Sequence, residues 1–162
     1  MASNTKYPKD STVEMTEVIM PQHTNPLGSV FGGVVLSWVD TAAAIAAQRH
    51  SGMVVVTASI DSMHFLAPIR LGWIASIKAS VNYTASTSCE VGVKIFAENP
   101  RKSILHHTSS AYVTMVSLNS SGEPTKMPII KPESETEKRR YQQAVERRRA
   151  RLELRKAVDK KS

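Results

Sequence analysis

One long apolar segment near the N-terminus constrains the fold of this chain more than any other feature. Residues 34–48, VVLSWVDTAAAIAAQ, carry a single formal charge, at Asp40, and follow the stretch NPLGSVFGG at residues 25–33. The alanine-rich run from about Phe31 to Gln48 predicts one long helix, because alanine has the highest helix propensity. Gly52 can adopt the left-handed conformation that ends a helix. We therefore expect a single dominant helix with a carboxylate in its middle.

The remainder of the chain up to residue 130 is patterned as strands. Residues Thr12–Met20 contain β-branched residues in partial alternation, which predicts a strand ahead of the helix. Four later segments alternate apolar with polar residues: residues 53–69, 73–84, 88–99 and 103–118. A sheet with only one helix can bury that helix by curling around it. The helix is apolar or small nearly all round, as an enclosed helix should be, so we predict an α+β fold of about five strands around one central helix.

Length and charge divide the chain into a domain and a basic tail. A chain of 162 residues that is 41% hydrophobic fits one globular domain, predicted at residues 12–130 after an N-terminal extension at residues 1–11. Residues 131–162 hold 12 Lys/Arg and 6 Asp/Glu, a net charge of +6, whereas residues 1–130 hold 9 and 8, a net charge of +1. The positive net charge of the protein therefore comes from a solvated helix or tail, and does not indicate that the domain binds nucleic acid.

Cysteine usage and the N-terminus indicate a cytoplasmic protein without a metal. Cys89 is the only cysteine, so no intrachain disulfide can form, and no Cys/His cluster has zinc-ligand spacing. The N-terminal stretch MASNTKYPKDSTVEM lacks the basic start and apolar run of a secretory signal. Residues 27–47 approach the length of a transmembrane helix, but their glycines and Asp40 make a poor lipid-facing surface. We expect a buried core helix there.

Asp40 and the glycines could form a site. If Gly33 lies in the helix, then Gly33, Ser37, Asp40 and Ala44 fall on one face. A glycine-rich helix N-terminus offers unpaired N–H groups and a positive dipole end, and can hold a carbonyl oxygen as it gains negative charge. Close packing is an equal explanation for the glycines. An unpaired buried carboxylate costs on the order of several kcal/mol, so for Asp40 we favour a function.

Spacing argues that one subunit does not complete this site. Gly33 and Asp40 are seven residues apart, or about 10 Å along a helix axis, and Asn25 lies farther back. A symmetric dimer with its two helices side by side could bring Asp40 of one subunit to the Asn25–Gly33 end of the other. A site shared between two subunits is therefore a hypothesis.

Four segments carry a family resemblance: HTNPLGSVFGGVVLSWVDTAAAIAAQRHSG, VVTASIDSMHFLAPIRLG, ASTSCEVGVKIFAEN and MPIIKPESETEKRRYQQAVERRRARL. Together, over about Thr12–Leu152, they resemble the hotdog-fold acyl-CoA thioesterases, and most closely the cytosolic acyl-CoA hydrolase branch. The FGG-to-Asp segment is specific in combination with the downstream F-L-x-P-I-x-x-G. The resemblance implies a curved antiparallel sheet around one helix, dimers commonly assembled as hexamers, and hydrolysis of acyl-CoA to fatty acid and coenzyme A without a separate cofactor.

The resemblance also implies catalytic roles. Asn25 and Asp40 match catalytic positions that different subunits contribute, and the backbone N–H groups of Gly32 and Gly33 would polarise the thioester carbonyl. Asp40 would act either as a general base on water or as a nucleophile on the carbonyl carbon, while Asn25 would orient the water or the carbonyl. The sequence does not choose between the two roles of Asp40.

Substrate-binding positions follow from the same resemblance. Thr57, Ser59 and Phe65 match strands beside the acyl tunnel, although an ordinary sheet core also explains them, and Thr87 and Ser88 could hydrogen-bond coenzyme A. The chain departs from the family pattern at Thr41, where many members have a second acidic residue, and at Ser86, where a cation often precedes the Thr-Ser pair. Other candidate cations, each also explained as a solvated charge, are Arg70, Lys78, Arg101 and Lys102.

Three alternatives stay open. The chain could be a non-catalytic acyl-CoA-binding or regulatory hotdog module, or could bind nucleic acid through the tail, but the tail has no helix-turn-helix pattern and one aromatic, Tyr141. Its charge repeats favour a surface helix packed on a neighbouring subunit, or steering of anionic coenzyme A. A dehydratase or hydratase would need an Asp-His pair that is not evident. Without a nucleophile elbow, structural or surface roles are expected for His23, His64, His106 and His107.

Overall fold

The computed structural model describes residues 4–159, and the helices and strands of that range occur in an order close to the predicted one. They are β1 (Thr5–Lys6), β2 (Val13–Val18), α1 (Gly32–Ser51), β3 (Val54–Phe65), β4 (Ile74–Thr84), β5 (Ser88–Asn99), β6 (Ile104–Leu118), β7 (Ile129–Ile130) and α2 (Glu135–Asp159). Short 3₁₀ turns at Pro8–Ser11 and Pro21–His23 flank β2.

Five strands form one antiparallel sheet in the order β2-β4-β5-β6-β3. The predicted α+β class, with an antiparallel sheet of about five strands and one long helix packed against it, is confirmed. Strands β2 and β3 are the two edges, so among residues 4–159 β3 pairs only with β6. The parallel pair of β1 with β7, which was not predicted, joins the N-terminal segment to the residues before α2.

Helix α1 packs across the concave face of this sheet. It ends at Gly52, whose φ of 70° is left-handed and whose N–H donates to the carbonyl of Gln48, as predicted. The buried positions recur every three or four residues along one stripe: Val35, Trp38, Val39, Ala42, Ala43, Ala46, Ala47 and His50. The expected enclosure on all sides is wrong for the single chain, because one sheet covers one side. Leu36, Ser37 and Thr41 are exposed on the other side.

The core holds α1 rigidly against the central strands. Alternate residues of β4, β5 and β6 point toward the helix and are almost completely buried, among them Ile77, Val93, Ile95, Val113 and Met115. Burying a side chain of this size stabilises the fold by roughly 1.5–3 kcal/mol. The position of every residue on α1 is therefore well determined relative to the sheet.

Helix α2 packs on the convex face of its own sheet, whereas the charge pattern of the tail favoured packing on a neighbouring subunit or steering of coenzyme A. Arg147 binds the carboxylate of Glu90 with two hydrogen bonds, of 3.0 and 2.7 Å, and its guanidinium lies 3.5 Å from the centre of the Tyr112 ring. Ala144 is fully buried, and Tyr141 contacts Tyr83 edge-on. The low apolar content of the tail concealed this contact, because ion pairs and a few well-placed side chains make it.

Candidate active site

The loop before α1 presents the side-chain amide of Asn25. Its Oδ1 accepts hydrogen bonds from the backbone N–H groups of Leu27, at 3.0 Å, and Ser29, at 3.2 Å. Gly28, with a φ of 71°, closes the turn by donating to the Asn25 carbonyl. Two N–H donors can bind only an oxygen, so the amide orientation is set. Within residues 4–159 no acceptor is described for Nδ2, so Asn25 can act on a ligand only as a donor.

The N-terminus of α1 offers two further donors. Phe31 is the N-cap residue, and its carbonyl accepts the N–H groups of Val34 and Val35. No acceptor is described within residues 4–159 for the N–H groups of Gly32 and Gly33, in keeping with the unpaired first turn of a helix. A Cβ on Gly32 would approach Cζ of Phe65 to 3.3 Å. Gly32 therefore lets the Phe65 ring close over the helix end.

A cleft of about 490 Å³ opens beside these donors. It brings Asn25 and Gly32 together with Phe65, and its remaining lining is largely apolar: Val30, Val35, Leu66, Ala67, Pro68 and Ile69, with Ser29 and Ser109. The N–H of Val30 donates to the Ile69 carbonyl, and that of Leu71 donates to the Gly28 carbonyl. These bonds explain why the NPLG and FLAPIRLG segments occur together, since each forms one wall of the cleft.

Asp40 and Thr57 form a second group. The hydroxyl of Thr57, on β3, donates to Oδ1 of Asp40 at 2.5 Å, and it also lies 3.5 Å from Sδ of Met115. Asp40 is half-buried on the open side of α1, and no ion pair of its carboxylate is described within residues 4–159. Neither residue lines the cleft that contains Asn25. The chain thus separates the donors from the carboxylate, as the helix spacing predicts.

The other predicted substrate-binding residues lie in different places. Ser59 is on the convex side of β3, where its hydroxyl donates to Asp61 at 3.1 Å. Thr87 and Ser88 lie at the β4–β5 turn, and Ser88 shares a cross-strand row with Val56 through Val116. The structure brings neither of these positions into the cleft.

One of the four candidate cations lies beside the cleft. Nη1 of Arg70 donates to the Leu27 carbonyl at 3.3 Å and to the Ser29 hydroxyl at 3.4 Å, so it contacts the Asn25 loop. Lys78 pairs with Glu14 on the convex face, 3.4 Å away. Residues 101–102 lie in the β5–β6 turn. The geometry therefore favours Arg70 over the other three as a contact for an anionic ligand.

Local contacts are described for four of the histidines, and the fifth, His64, is exposed. Nδ1 of His23 accepts the N–H of Met20, and the ring contacts Trp38 edge-on. His106 stacks on Trp73, and His107 contacts Phe96 and Ser110. His50 is fully buried at the end of α1, where Nε2 contacts the Pro128 carbonyl at 2.8 Å, and desolvation lowers its pKa below 6.5.

Two residues of interest were not identified from the sequence. Ser109 lines the cleft, is 1% exposed, and has no hydrogen-bond partner for its hydroxyl within residues 4–159. Asp61 on β3 accepts the Ser59 hydroxyl and forms an ion pair with Arg151 of α2. Both lie in strands in which polar and apolar residues alternate, so the sequence offers no reason to separate them from other polar strand residues. Only their three-dimensional contacts do so.

Two general searches of residues 4–159 gave negative results. No group of three or more His, Cys, Asp or Glu side chains in that range is placed to hold a metal ion. No helix of the same range is long and apolar enough to cross a membrane.

Known proteins of similar sequence and structure point to one family. The sequence profile of the thioesterase superfamily matches residues 27–104. Protein VdlD of Helicobacter pylori is 36% identical over 137 residues, which are 85% of this chain and 78% of that protein. The crystal structure of an apo-hexameric acyl-CoA thioesterase has a TM-score of 0.90 at 35% identity and covers 93% of this chain and 96% of its own.

A Staphylococcus aureus protein extends the comparison to ligands and variants. This acyl-CoA hydrolase, solved with butyryl coenzyme A, coenzyme A and coenzyme A disulfide, has a TM-score of 0.86 at 36% identity, and the match covers 96% of this chain and 97% of that one. Structures of the same hydrolase exist in which one aspartate, one threonine or one asparagine is replaced by alanine.

Proposed function

The chain belongs to the thioesterase superfamily, and from that premise we propose that it hydrolyses the thioester of acyl-CoA to a free fatty acid and coenzyme A. The observation that supports this function best is the position of the Asp40 carboxylate, which Thr57 holds on the open side of α1. The first turn of the same helix offers unpaired N–H donors. An acyl transfer to water needs a basic or nucleophilic group and donors for the carbonyl oxygen. This chain contains both, on one rigid helix.

The substituted residues of the S. aureus hydrolase support this assignment. In that protein the asparagine, the aspartate and the threonine are separated by 15 and 17 residues. Asn25, Asp40 and Thr57 have the same two separations in this chain. We infer that the three correspond in position, and that Thr57 contributes to the reaction as the residue that orients Asp40.

The donors act on the carbonyl oxygen of the thioester. The N–H groups of Gly32 and Gly33 lie at the positive end of the helix dipole, and Nδ2 of Asn25 is available at the same cleft. Because the oxygen gains negative charge as the carbonyl carbon becomes tetrahedral, donors placed in advance stabilise the transition state more than the substrate. Asn25 can serve the carbonyl oxygen or the oxygen of the attacking water, in either case by donating.

Asp40 supplies the basic oxygen. One carboxylate oxygen accepts the Thr57 hydroxyl, which fixes the rotamer and leaves the other oxygen for chemistry. As a general base it removes a proton from water while the water attacks the carbonyl carbon. As a nucleophile it forms an anhydride with the acyl group, which water then hydrolyses. In both routes the thiolate of coenzyme A leaves and is protonated.

The complete site requires a second copy of the chain. The Asn25–Gly32 cleft and the Asp40–Thr57 pair are separate within one chain. The open side of α1 exposes Leu36, and the free edge of β3 exposes Val54 and Val56. Unpaired strand edges with apolar side chains are normally covered by another chain. We propose a dimer in which Asp40 of one subunit faces Asn25 and Gly32 of the other, assembled further as a trimer of dimers like the hexameric neighbour.

We assign the acyl chain and the coenzyme A part of the substrate to residues by their position around the cleft. The apolar cleft beneath Phe65 is proposed for the acyl chain, and Arg70 for an anionic part of coenzyme A. Ser59, Thr87 and Ser88 stay proposals as substrate contacts across the assembled subunits. We propose no separate cofactor, no role in nucleic-acid binding and a cytoplasmic location.

Release of coenzyme A, followed with a thiol-reactive dye, tests the activity. Burial raises the pKa of the Cys89 thiol to about 12, so the protein itself contributes little colour while folded. We expect turnover that depends on acyl chain length across a series of acyl-CoA substrates. Binding of these substrates without thiol release would instead identify a non-catalytic acyl-CoA-binding module.

Mixed dimers test the shared site. Asn25→Ala and Asp40→Ala subunits are refolded together. If the site is shared, each heterodimer then has one site with both residues intact and one site in which both are replaced. We expect both homodimers to be inactive and the mixture to regain part of the wild-type rate. A mixture in which heterodimers form, as verified by native mass spectrometry, but stay inactive would show that each subunit uses its own Asn25 and Asp40.

A further inference from the structure

Strand β3 carries Thr57 in an irregular segment. Its register with β6 shifts between Thr57 and Ser59 and again between Ile60 and Ser62, which leaves Ala58 and Asp61 as extra residues. Thr57 lies opposite Met115, which is buried under α1, whereas Ser59 lies opposite Thr114 on the convex side. The first bulge therefore separates the inward-facing Thr57 from the residues that face α2.

Helix α2 contacts this segment from the convex side. Arg151 forms an ion pair with Oδ2 of Asp61, and Oδ1 of the same carboxylate accepts the Ser59 hydroxyl at 3.1 Å. The two charged side chains are only 25% and 11% exposed, so water screens the pair weakly. On the concave side, Thr57 donates to Asp40. The backbone of β3 thus joins the contacts with α2 on one face of the sheet to the Thr57–Asp40 hydrogen bond on the other.

We propose that Asp61 and Arg151 are positioning residues for the thioesterase reaction, holding the bulged segment of β3 in the register that presents Thr57 to Asp40. This proposal rests on the proposed function of the Asp40 site. Arg151 touches neither substrate nor reacting atoms; it acts through Asp61, Ser59 and the backbone of β3.

The two bulges of β3 explain why such a contact is needed. Within residues 57–62 the ladder of β3 with β6 is interrupted twice. A slip of one residue would turn Thr57 to the opposite face and remove its hydrogen bond to Asp40. The charge-assisted contact of Asp61 with Arg151 opposes that slip, because a displaced Asp61 would lose its partner while largely buried.

Attachment of α2 alone does not account for the contact. Arg147, one helical turn before Arg151, already joins α2 to Glu90 in the central strand β5. Arg151 differs in its target, which is the bulge residue of the edge strand that carries Thr57. The two arginines thus join one helix to the central strand β5 and to the bulged strand β3.

The test compares Arg151→Leu with Arg149→Leu. Both changes remove one positive charge from α2, but Arg149 is exposed and no contact of its side chain is described within residues 4–159. We expect kcat for acyl-CoA hydrolysis to fall about tenfold in Arg151→Leu with KM within twofold, because the chemical step uses the Thr57–Asp40 pair. Arg149→Leu should keep the wild-type kcat, and Arg151→Lys should recover most of it. Equal kcat in the two leucine variants would overturn the proposal.

A double variant separates positioning from a general loss of structure. If Arg151 acts through Thr57, adding Arg151→Leu to Thr57→Val lowers kcat no further, whereas independent effects would multiply. A full tenfold additional loss would contradict the proposal.

A measurement without substrate distinguishes failure of this proposal from failure of the proposed function. Hydrogen exchange of the backbone amides of residues 57–62 should be faster in Arg151→Leu than in Arg149→Leu, while β5 exchanges as in the wild type. Unchanged exchange in β3 would contradict the positioning role of Arg151 and Asp61 even if the wild-type protein is an active thioesterase. If the wild-type protein had no thioesterase activity but exchange in β3 were still faster in Arg151→Leu, the structural role of the contact would hold and only the proposed reaction would be refuted.

Discussion

Two carboxylates on opposite sides of the same sheet show how the surroundings of a structural acid differ from those of the acid proposed to react. Glu90, on the convex face, is 3% exposed and is bound by both nitrogens of the Arg147 fork and by Asn82. Asp40, on the helix that crosses the concave face, is half-buried and is held by the Thr57 hydroxyl. A guanidinium neutralises a carboxylate and occupies its lone pairs, whereas one hydroxyl orients it and leaves an oxygen for water. A buried carboxylate paired with a cation, such as Glu90, is suited to stabilising the fold. A partly buried carboxylate with no cation described beside it in residues 4–159, such as Asp40, is suited to acting as a base or nucleophile.

The largest effect is expected from Asp40→Asn. The amide keeps the shape and can still accept the Thr57 hydroxyl, but it is neither a base nor a nucleophile. We expect kcat to fall by roughly 10²–10⁴-fold, the usual contribution of such a group, with a melting temperature close to that of the wild type. A variant that retains full turnover would remove Asp40 from the mechanism.

The matching change on the other face, Glu90→Gln, should have the opposite profile. It leaves the partly buried guanidinium of Arg147, which is 23% exposed, without its counter-charge. Breaking a fully buried ion pair costs about 3–5 kcal/mol of unfolding free energy, and we expect a smaller loss here, of roughly 1–3 kcal/mol, because water partly screens Arg147. Chemical denaturation measures this loss, while kcat of the folded fraction should change little. If both variants lost stability and activity alike, the contrast between the two faces would not hold.

Removing the hydroxyl that orients Asp40 sharpens the comparison. Thr57→Val has nearly the same volume and should lower kcat about 10–100-fold, because a hydrogen bond to a charged group contributes roughly 1.5–3 kcal/mol. Thr57→Ser retains the hydroxyl and serves as the matched control, with kcat closer to the wild-type value. Equal losses in the two variants would assign the effect to packing against Met115 instead.

His50 provides the smallest and most specific effect, since it is a fully buried titratable group. Burial lowers its pKa from 6.5, so the unfolded chain takes up a proton at a higher pH than the folded one. Stability contributed by neutral His50 is present above pH 6.5 and is lost as the pH falls toward the folded-state value, by at most about 1.4 kcal/mol per pH unit. His50→Gln should reduce this slope. The exposed His64→Gln should retain it, and equal slopes in both variants would exclude His50 as the cause.

Much of the fold was predictable because its signals are local. The alanine run, the Gly52 cap and the alternation in residues 88–99 depend on neighbours within one or two turns, and the observed bounds Gly32–Ser51 and Ser88–Asn99 follow them closely. Asp40 stood out for a similar reason, as the one charge in an apolar run. The open side of α1 was not predictable in this way, because the sequence of a helix does not reveal how many of its sides one sheet can cover.

The sequence by itself determined α1, the five strands of the main sheet and the α+β class, and its resemblance to a known family pointed to the candidate residues Asn25, Asp40, Gly32 and Gly33. Only the tertiary structure decided that Thr57 donates to Asp40, that Glu90 holds Arg147 and that Asp61 holds Arg151, across separations of 17, 57 and 90 residues. The physical reason is that these contacts depend on strand register, and two bulges in β3 change which side chains face each way. Periodicity encodes an element, but the partner of each polar side chain is set where distant elements meet.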